Sequence, residues 1–320
     1  MRLLSWGAWY FILFVLPTYD SMKETMKFSD KEFMMNKFAI VTDSIAYLNA
    51  SYLEENNVFV APLSVNFSDG VYKDMFEMDD TAFFDKVAEL DEIPKSSQPS
   101  PGDIMAVFDE VRAQGYQDVL VISMTRIASG TCAAFELAAQ QIDDLDIYVL
   151  DSETGLQVEG YYIEEAIKYR DTGHSRDEAV AAIEDLMPSS KLYVAIDDIS
   201  FVMKGGRLGK AAQALANLLR IKPIVFVGKG KLFVSGRAFS FKKAISKMLG
   251  TFEEDLKDNI PLRATVSGPA HSTYLRDIKD YFALNHPDVK LEEGRIGPVI
   301  SVHAGPEAIA LMWAKDSSKV

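Results

Sequence analysis

A chain of 320 residues that is 48% hydrophobic and 25% charged can bury a sizeable core, and its length suits two domains. A formal net charge of −14 argues against nucleic acid as the main partner, because neutralising phosphates needs a basic face. The single cysteine, Cys132, rules out an intramolecular disulfide and a cysteine-rich zinc site, and the four histidines lack HxxxH or HExxH spacing, so no metal is expected.

Residues 1–16 contain the apolar stretch WGAWYFILFVL after a lone Arg2, too short to span a bilayer, and the PTYDSMKE that follows lacks a small-x-small cleavage pattern. A weak signal peptide or a membrane-surface anchor is one reading. The favoured one starts the folded chain at Met34 or Met35, directly before NKFAIVTDS, and sets residues 1–34 apart as an N-terminal extension.

Residues 38–41 read as a short apolar strand ending in Thr42, Asp43 and Ser44; the last two are good caps for a helix carrying Ile45, Leu48, Tyr52 and Leu53. Residues 58–67 (VFVAPLSVNF) form a second strand region. A Ser68-Asp69-Gly70 turn leads from it into an irregular segment and a helix over 79–90. With three prolines and three serines, 93–102 (IPKSSQPSPG) reads as a loop stiffened by proline, followed by a helix over 103–114. The stretch 119–139 combines a continuous apolar run, Val119 to Ile122, with an alanine-rich helix after Thr131. Ser129, Gly130 and Thr131 sit at the junction. A helix N-terminus there offers unpaired N–H groups, a partial positive charge and two hydroxyls, which suits an anion as well as it suits an ordinary cap. A strand over 146–150, Asp151-Ser152 and a helix over 158–172 complete a parallel βαβ pattern. Ligands of such sheets gather beyond the strands' carboxyl ends, where Ser44, Ser129 and Ser152 all fall.

The pattern changes near Lys191: a strand over 192–196, the turn Lys204-Gly205-Gly206-Arg207, and a helix rich in Ala and Leu running to Leu219. Residues 221–227 and 231–234, joined by Gly228-Lys229-Gly230, signal a hairpin, and Arg237, Lys242, Lys243 and Lys247 follow on a basic loop and helix. A strand over 264–267, a helix over 272–284, a strand over 297–302 ending at His303 and a final helix over 306–313 close the chain. The expected fold is α/β in two domains. Residues 35–188 would carry a parallel sheet with flanking helices, and 189–320 a second, mixed α/β domain.

Gly205-Gly206-Arg207 lacks the strand-GxxxxGK[ST]-helix context of a P-loop, and Asp197-Asp198 reads as cap chemistry. Cys132, near a helix N-terminus, admits a nucleophile paired with His303, although a small buried hydrophobe is the preferred reading.

In chain order, FAIVTDS (38–44), PLSV (62–65), SSQPSPG (96–102), SGT (129–131), VLDS (149–152), KGGRLGK (204–210), IKPI (221–224) and GPVISVHAGP (297–306) form an ensemble that resembles the DegV family of bacterial fatty-acid-binding proteins. The resemblance implies one long-chain fatty acid held between the two domains as ligand, with no other cofactor and no chemistry by the carrier itself. It implies that Ser96, Ser129 and His303 hold the carboxylate, with Ser97 and the Gly130 amide contributing. It further implies a cytoplasmic carrier that presents the carboxylate to a separate ATP-dependent fatty acid kinase, whose acyl phosphate serves phospholipid synthesis, with transient membrane contact. Arg207 and Arg237 would dock the kinase's ATP-binding subunit, a positive patch on an acidic chain steering one complementary partner. The alternatives are a lipid-sensing regulator without a kinase, or a hydrolase or acyltransferase using Cys132 or Ser129. Departures from the family pattern at Thr125-Arg126-Ile127-Ala128 and at Glu307 bear on the head-group pocket, and Arg126 and Ile127 are expected to crowd the turn before Ser129.

Overall fold

The computed structural model describes residues 37–90, 92–208 and 221–319, so the expectations for residues 1–34 and for the helix ending at Leu219 lie outside the described residues. The chain opens on strand β1 (Ala39–Asp43), every residue of which is buried. The helix expected from Ile45 does not run on. A 3₁₀ turn, Ser44–Ala46, ends at Tyr47 in a left-handed conformation (φ 45°), and α1 (Ala50–Glu55) starts afresh.

The region 58–67 divides at Pro62, which cannot donate to a ladder, into β2 (Val58–Ala61) and β3 (Ser64–Phe67). The segment expected to be irregular contains β4 (Gly70–Lys73), paired antiparallel to β3, before α2 (Asp80–Leu90). Within the expected proline loop, β5 (Lys95–Ser97) pairs with the other side of β3. It is an edge strand bounded by Pro94 and Pro99, where missing donors do no harm. Next come α3 (Pro101–Ala113), β6 (Asp118–Ser123), α4 (Thr131–Ala139), β7 (Asp146–Asp151), α5 (Leu156–Asp171) and α6 (Arg176–Leu186). Strands β2, β1, β6 and β7 lie in that order in a fully parallel sheet.

The later elements are β8 (Lys191–Ala195), α7 (Ile199–Gly205), β9 (Lys222–Gly228), β10 (Lys231–Ala238), α8 (Phe241–Leu256), β11 (Leu262–Ser267), α9 (Thr273–Asn285), β12 (Lys290–Gly294), α10 (Pro298–Ala304) and β13 (Ile309–Lys315). They build a mixed six-stranded sheet, β10-β9-β8-β13-β11-β12, in which only β11 and β12 run parallel. The fold is thus α/β, with a parallel sheet, a mixed sheet and the small antiparallel sheet β4-β3-β5.

Two expectations near the C-terminus are corrected. Residues 298–304 are helix α10, not a strand: Gly297 caps it and Pro298 occupies its first turn, where the missing N–H costs nothing. Residues 309–315 are strand β13, not a helix, paired on both sides by β8 and β11 and buried at six of seven positions.

Helix α5 lies between the two sheets, packing on β1 and β6 on one side and on β13 on the other. Twelve of its sixteen residues are buried, as a helix sandwiched between layers requires. The largest apolar cluster accordingly runs without a break from Ile40 and Leu120 of the parallel sheet to Val194, Val225 and Met312 of the mixed sheet.

Candidate functional site

A cavity of about 960 Å³, counting the space open at its mouth, is lined from both sheets. The carboxyl ends of the parallel strands contribute Ile45, Met124 and Thr154, and the mixed sheet contributes Leu192, Val194, Val225 and Val227. The lining is mostly apolar, with polar groups gathered at one end.

That polar end is assembled from three places far apart in sequence. Edge strand β5 presents Ser96, the last turn of α10 presents His303, and Ser96 Oγ lies 2.7 Å from His303 Nε2. The loop from β6 to α4 brings Ser129 to the same lining. Its Oγ lies 2.8 Å from Thr131 Oγ1 and accepts from the Thr131 amide at 3.3 Å. Gly130 caps α4 and makes no side-chain cap bond; the Thr131 amide at the start of the helix is taken by Ser129 Oγ instead.

Ser97 lines the cavity beside Ser96 and accepts a 3.3 Å bond from Asn66 Nδ2. Gly130 is not among the lining residues. A Cβ there would collide with Gln98 Oε1, so the glycine lets the Gln98 side chain cross the turn.

Arg207, expected at a docking surface, lines the cavity and is also exposed, which puts it at the mouth. Gly206, at φ 70°, ends α7 and turns the chain so that Arg207 can donate back to the Gly205 carbonyl at 2.8 Å. Burial, reinforced by the nearby Arg207 charge, pushes the His303 imidazole down to about 4, so it is neutral at physiological pH. His303 Nδ1 is buried without a hydrogen-bond partner. Arg237 is exposed on β10, away from the cavity lining, and its carbonyl accepts from Lys247 Nζ at 2.8 Å.

Arg126 and Ile127 do not crowd the site, contrary to expectation. Arg126 turns outward to bond Asp151 at 2.8 Å and Glu136 at 2.9 Å, and Ile127 is exposed; neither lines the cavity. Glu307 likewise points elsewhere, 3.0 Å from His271. The Cys132 nucleophile also fails on geometry. The thiol is absent from the lining, lies 3.2 Å from an Arg126 nitrogen, and is pushed up to about 12 by burial, so thiolate is scarce.

Missed by the sequence reading is the polar frame behind the cavity. Asp43 accepts from the amides of Ile45 and Met124 at 2.9 Å each and from Ser123 Oγ at 3.1 Å. Ser44 Oγ accepts from the Leu63 amide at 3.2 Å and donates to buried Asp74 at 2.8 Å. Three lining positions, Ile45, Leu63 and Met124, are therefore tethered through their backbones to two adjacent residues at the end of β1. Glu159 of α5, fully buried, accepts from Thr42 Oγ1 at 3.2 Å, and burial followed by the nearby Asp43 charge raises its carboxyl well above the usual range. The strand-end Thr42-Asp43-Ser44 run was the available signal, but Glu159 carries no local mark.

Among the described residues no group of histidine, cysteine and carboxylate side chains is arranged to hold a metal ion, and no helix is long and apolar enough to cross a membrane.

Residues 37–316 match the family described as "Uncharacterised protein, DegV family". A relative named Protein DegV, from Bacillus subtilis, is 29% identical over 276 residues, covering 86% of this chain and 98% of the relative. Two solved structures share the fold. DegV of Bacillus subtilis, described as a fatty acid binding protein, superposes with a TM-score of 0.81 at 28% identity, covering 88% of this chain and 99% of that one. A DegV family protein from Thermus thermophilus, described for its fatty acid binding, gives 0.80 at 28% identity, covering 88% and 100%.

Proposed function

The chain belongs to the DegV family, and from that premise we propose that it is a non-catalytic carrier of a long-chain fatty acid, which it presents to a separate ATP-dependent fatty acid kinase. The observation that carries the reading is the Ser96–His303 contact of 2.7 Å at the polar end of an otherwise apolar cavity. A carboxylate at that end would meet the hydroxyls of Ser96, Ser97 and Ser129, and the Gly130 amide would contribute from outside the lining. The tail would lie between the parallel-sheet part, 35–188, and the mixed-sheet part, 189–320, against Val194, Val225 and Val227.

Magnitudes divide the work between tail and head. Burying methylenes gains about 0.8 kcal/mol each, so an ordinary acyl chain contributes on the order of 10 kcal/mol before the costs of association. The head group's hydrogen bonds mainly offset its own desolvation and orient it. Arg207 at the mouth and exposed Arg237 are the proposed contacts of the kinase, the former close enough to touch the transferred head group as well.

Native mass spectrometry of the purified protein tests the carrier reading by its bound acid. Ser129→Ala and His303→Ala are expected to lower the fatty acid content and the rate of acyl-phosphate formation with an added kinase; full content and unchanged turnover in both would sink the assignment. Arg237→Ala should keep the lipid and slow phosphorylation, and equal loss of both would remove Arg237 from the docking surface.

A further inference from the structure

Gln98 stands at the polar end of the cavity, and the carboxylate site proposed above does not use it. It follows Ser96 and Ser97 in the chain, just past β5, and lines the cavity with them while remaining exposed. Its main chain is stiff, because buried Pro99 comes next and a residue before proline is held to extended conformations. Its side chain is tied to nothing: among the described residues none hydrogen-bonds the Gln98 carboxamide.

A contact with a glycine fixes where that carboxamide lies. A Cβ on Gly130 would collide with Gln98 Oε1, whereas Gln98 Nε2 would stand 4.0 Å from it. The amide group therefore rests on the turn between Ser129 and Thr131, with its nitrogen the farther end. Gly130 has φ −79° and ψ 4°, a turn conformation that other residues adopt, so its backbone does not call for glycine. The close approach of Gln98 does. Ser97 precedes Gln98 and Ser129 precedes Gly130, and both serines line the cavity. Residues of the proposed carboxylate site thus adjoin the amide on either side.

A primary amide carries two N–H donors, and beside a carboxylate one of them makes a charge-assisted hydrogen bond, stronger than the same bond to a neutral acceptor. An ordinary surface glutamine has no need of a glycine beneath it. Here the glycine holds an unspent donor at the end of the cavity where an anion would sit.

We infer that Gln98 is a further head-group residue: its carboxamide N–H donates to the carboxylate of the bound acid, and Gly130 is the seat that brings it within reach. The inference rests on the carrier reading and adds to it a determinant of specificity, for an ionised head group over an uncharged one.

The test measures binding of hexadecanoic acid and of its methyl ester to delipidated protein at neutral pH. Wild type is expected to prefer the acid, and Gln98→Ala to lower that preference about tenfold by weakening the acid alone. Gln98→Glu, of the same shape, should lower it at least as far, because it replaces the donors with a like charge. Gly130→Ala should match Gln98→Ala by pushing the amide off its seat. The double variant should bind the acid no more weakly than either single one, as expected of two changes that act through one contact. A wild-type preference retained by Gln98→Glu, equal losses for acid and ester, or additive losses in the double variant would each overturn the inference while leaving the carrier reading in place. Wild-type protein that binds neither ligand would overturn both.

Discussion

His303 gathers its constraints from three elements. It stands on α10, bonds Ser96 on β5, and shares the cavity mouth with Arg207 just beyond α7. The expected titration follows: followed by NMR in the delipidated protein, its imidazole should protonate near pH 4 and remain neutral at pH 6. Arg207→Ala should shift that midpoint upward, since removing a like charge eases protonation while the larger effect of burial remains. A midpoint near 6.5 in both proteins would mean the ring is solvated and the Ser96 contact absent. The role proposed for the residue was suggested by the sequence only through the company of other motifs; a lone histidine near a glycine carries little by itself.

At the scale of elements, helices α7 and α10 set the site by their closeness. A Cβ on Gly205 would lie 2.5 Å from His303 Nδ1, so the two helices touch at a glycine. Gly205→Ala is expected to weaken fatty acid binding by tenfold or more at a stability cost of about 1–3 kcal/mol, because overpacking moves the histidine before it unfolds the chain. A melting curve paired with a binding isotherm checks this; unchanged affinity would show that α7 has room to give. The sequence hid α10 because Val299, Ile300 and Val302 are β-branched and suit a strand, while the true signals, Gly297 as cap and Pro298 in the first turn, are short-range. It hid β13 for the opposite reason. Ala310, Leu311, Met312 and Ala314 are good helix formers, but a central position between β8 and β11 overrides propensity. The parallel strands β1, β6 and β7 were legible because continuous apolar runs between turn residues have few other uses. Helix α6 was missed although Ser175 and Glu178 form a capping box, a readable signal, and β12 was missed because its charged edge sequence, Lys-Leu-Glu-Glu-Gly, has a single apolar residue.

For the whole molecule, the buried carboxyls make stability depend on pH. Burial raises Asp43 to about 6 and Asp74 to about 7, each above the unfolded value of 3.8, and raises Glu159 well above its usual range. The folded state then holds more protons than the unfolded state, so stability declines as pH rises from about 4 through 6 and 7. Each aspartate contributes a loss on the order of 3–4 kcal/mol at most. His303, lowered from 6.5 to about 4, acts in the other sense and recovers stability between those values. Its compensation ends near pH 6.5, where the fall due to the carboxyls continues alone. Denaturant titrations should therefore give a lower unfolding free energy at pH 8 than at pH 6.5, and Asp74→Asn should flatten that difference. A wild-type protein equally or more stable at pH 8 would refute the shared burial of these groups.

The unpartnered Nδ1 of His303 has one more consequence, for the order of protons along the site. Gly205 packs against that nitrogen and supplies it with no acceptor. A buried bare lone pair is cheaper than a buried orphaned N–H, so the ring's single proton belongs on Nε2. Nε2 then donates to Ser96 Oγ, and the serine's own hydrogen is released to point into the cavity. At that contact the polar end gives a hydrogen bond rather than receiving one. Such a mouth sorts head groups by polarity of bonding: it suits a carboxylate, and it meets an amine or a primary amide donor-to-donor, whatever the length of the tail behind it.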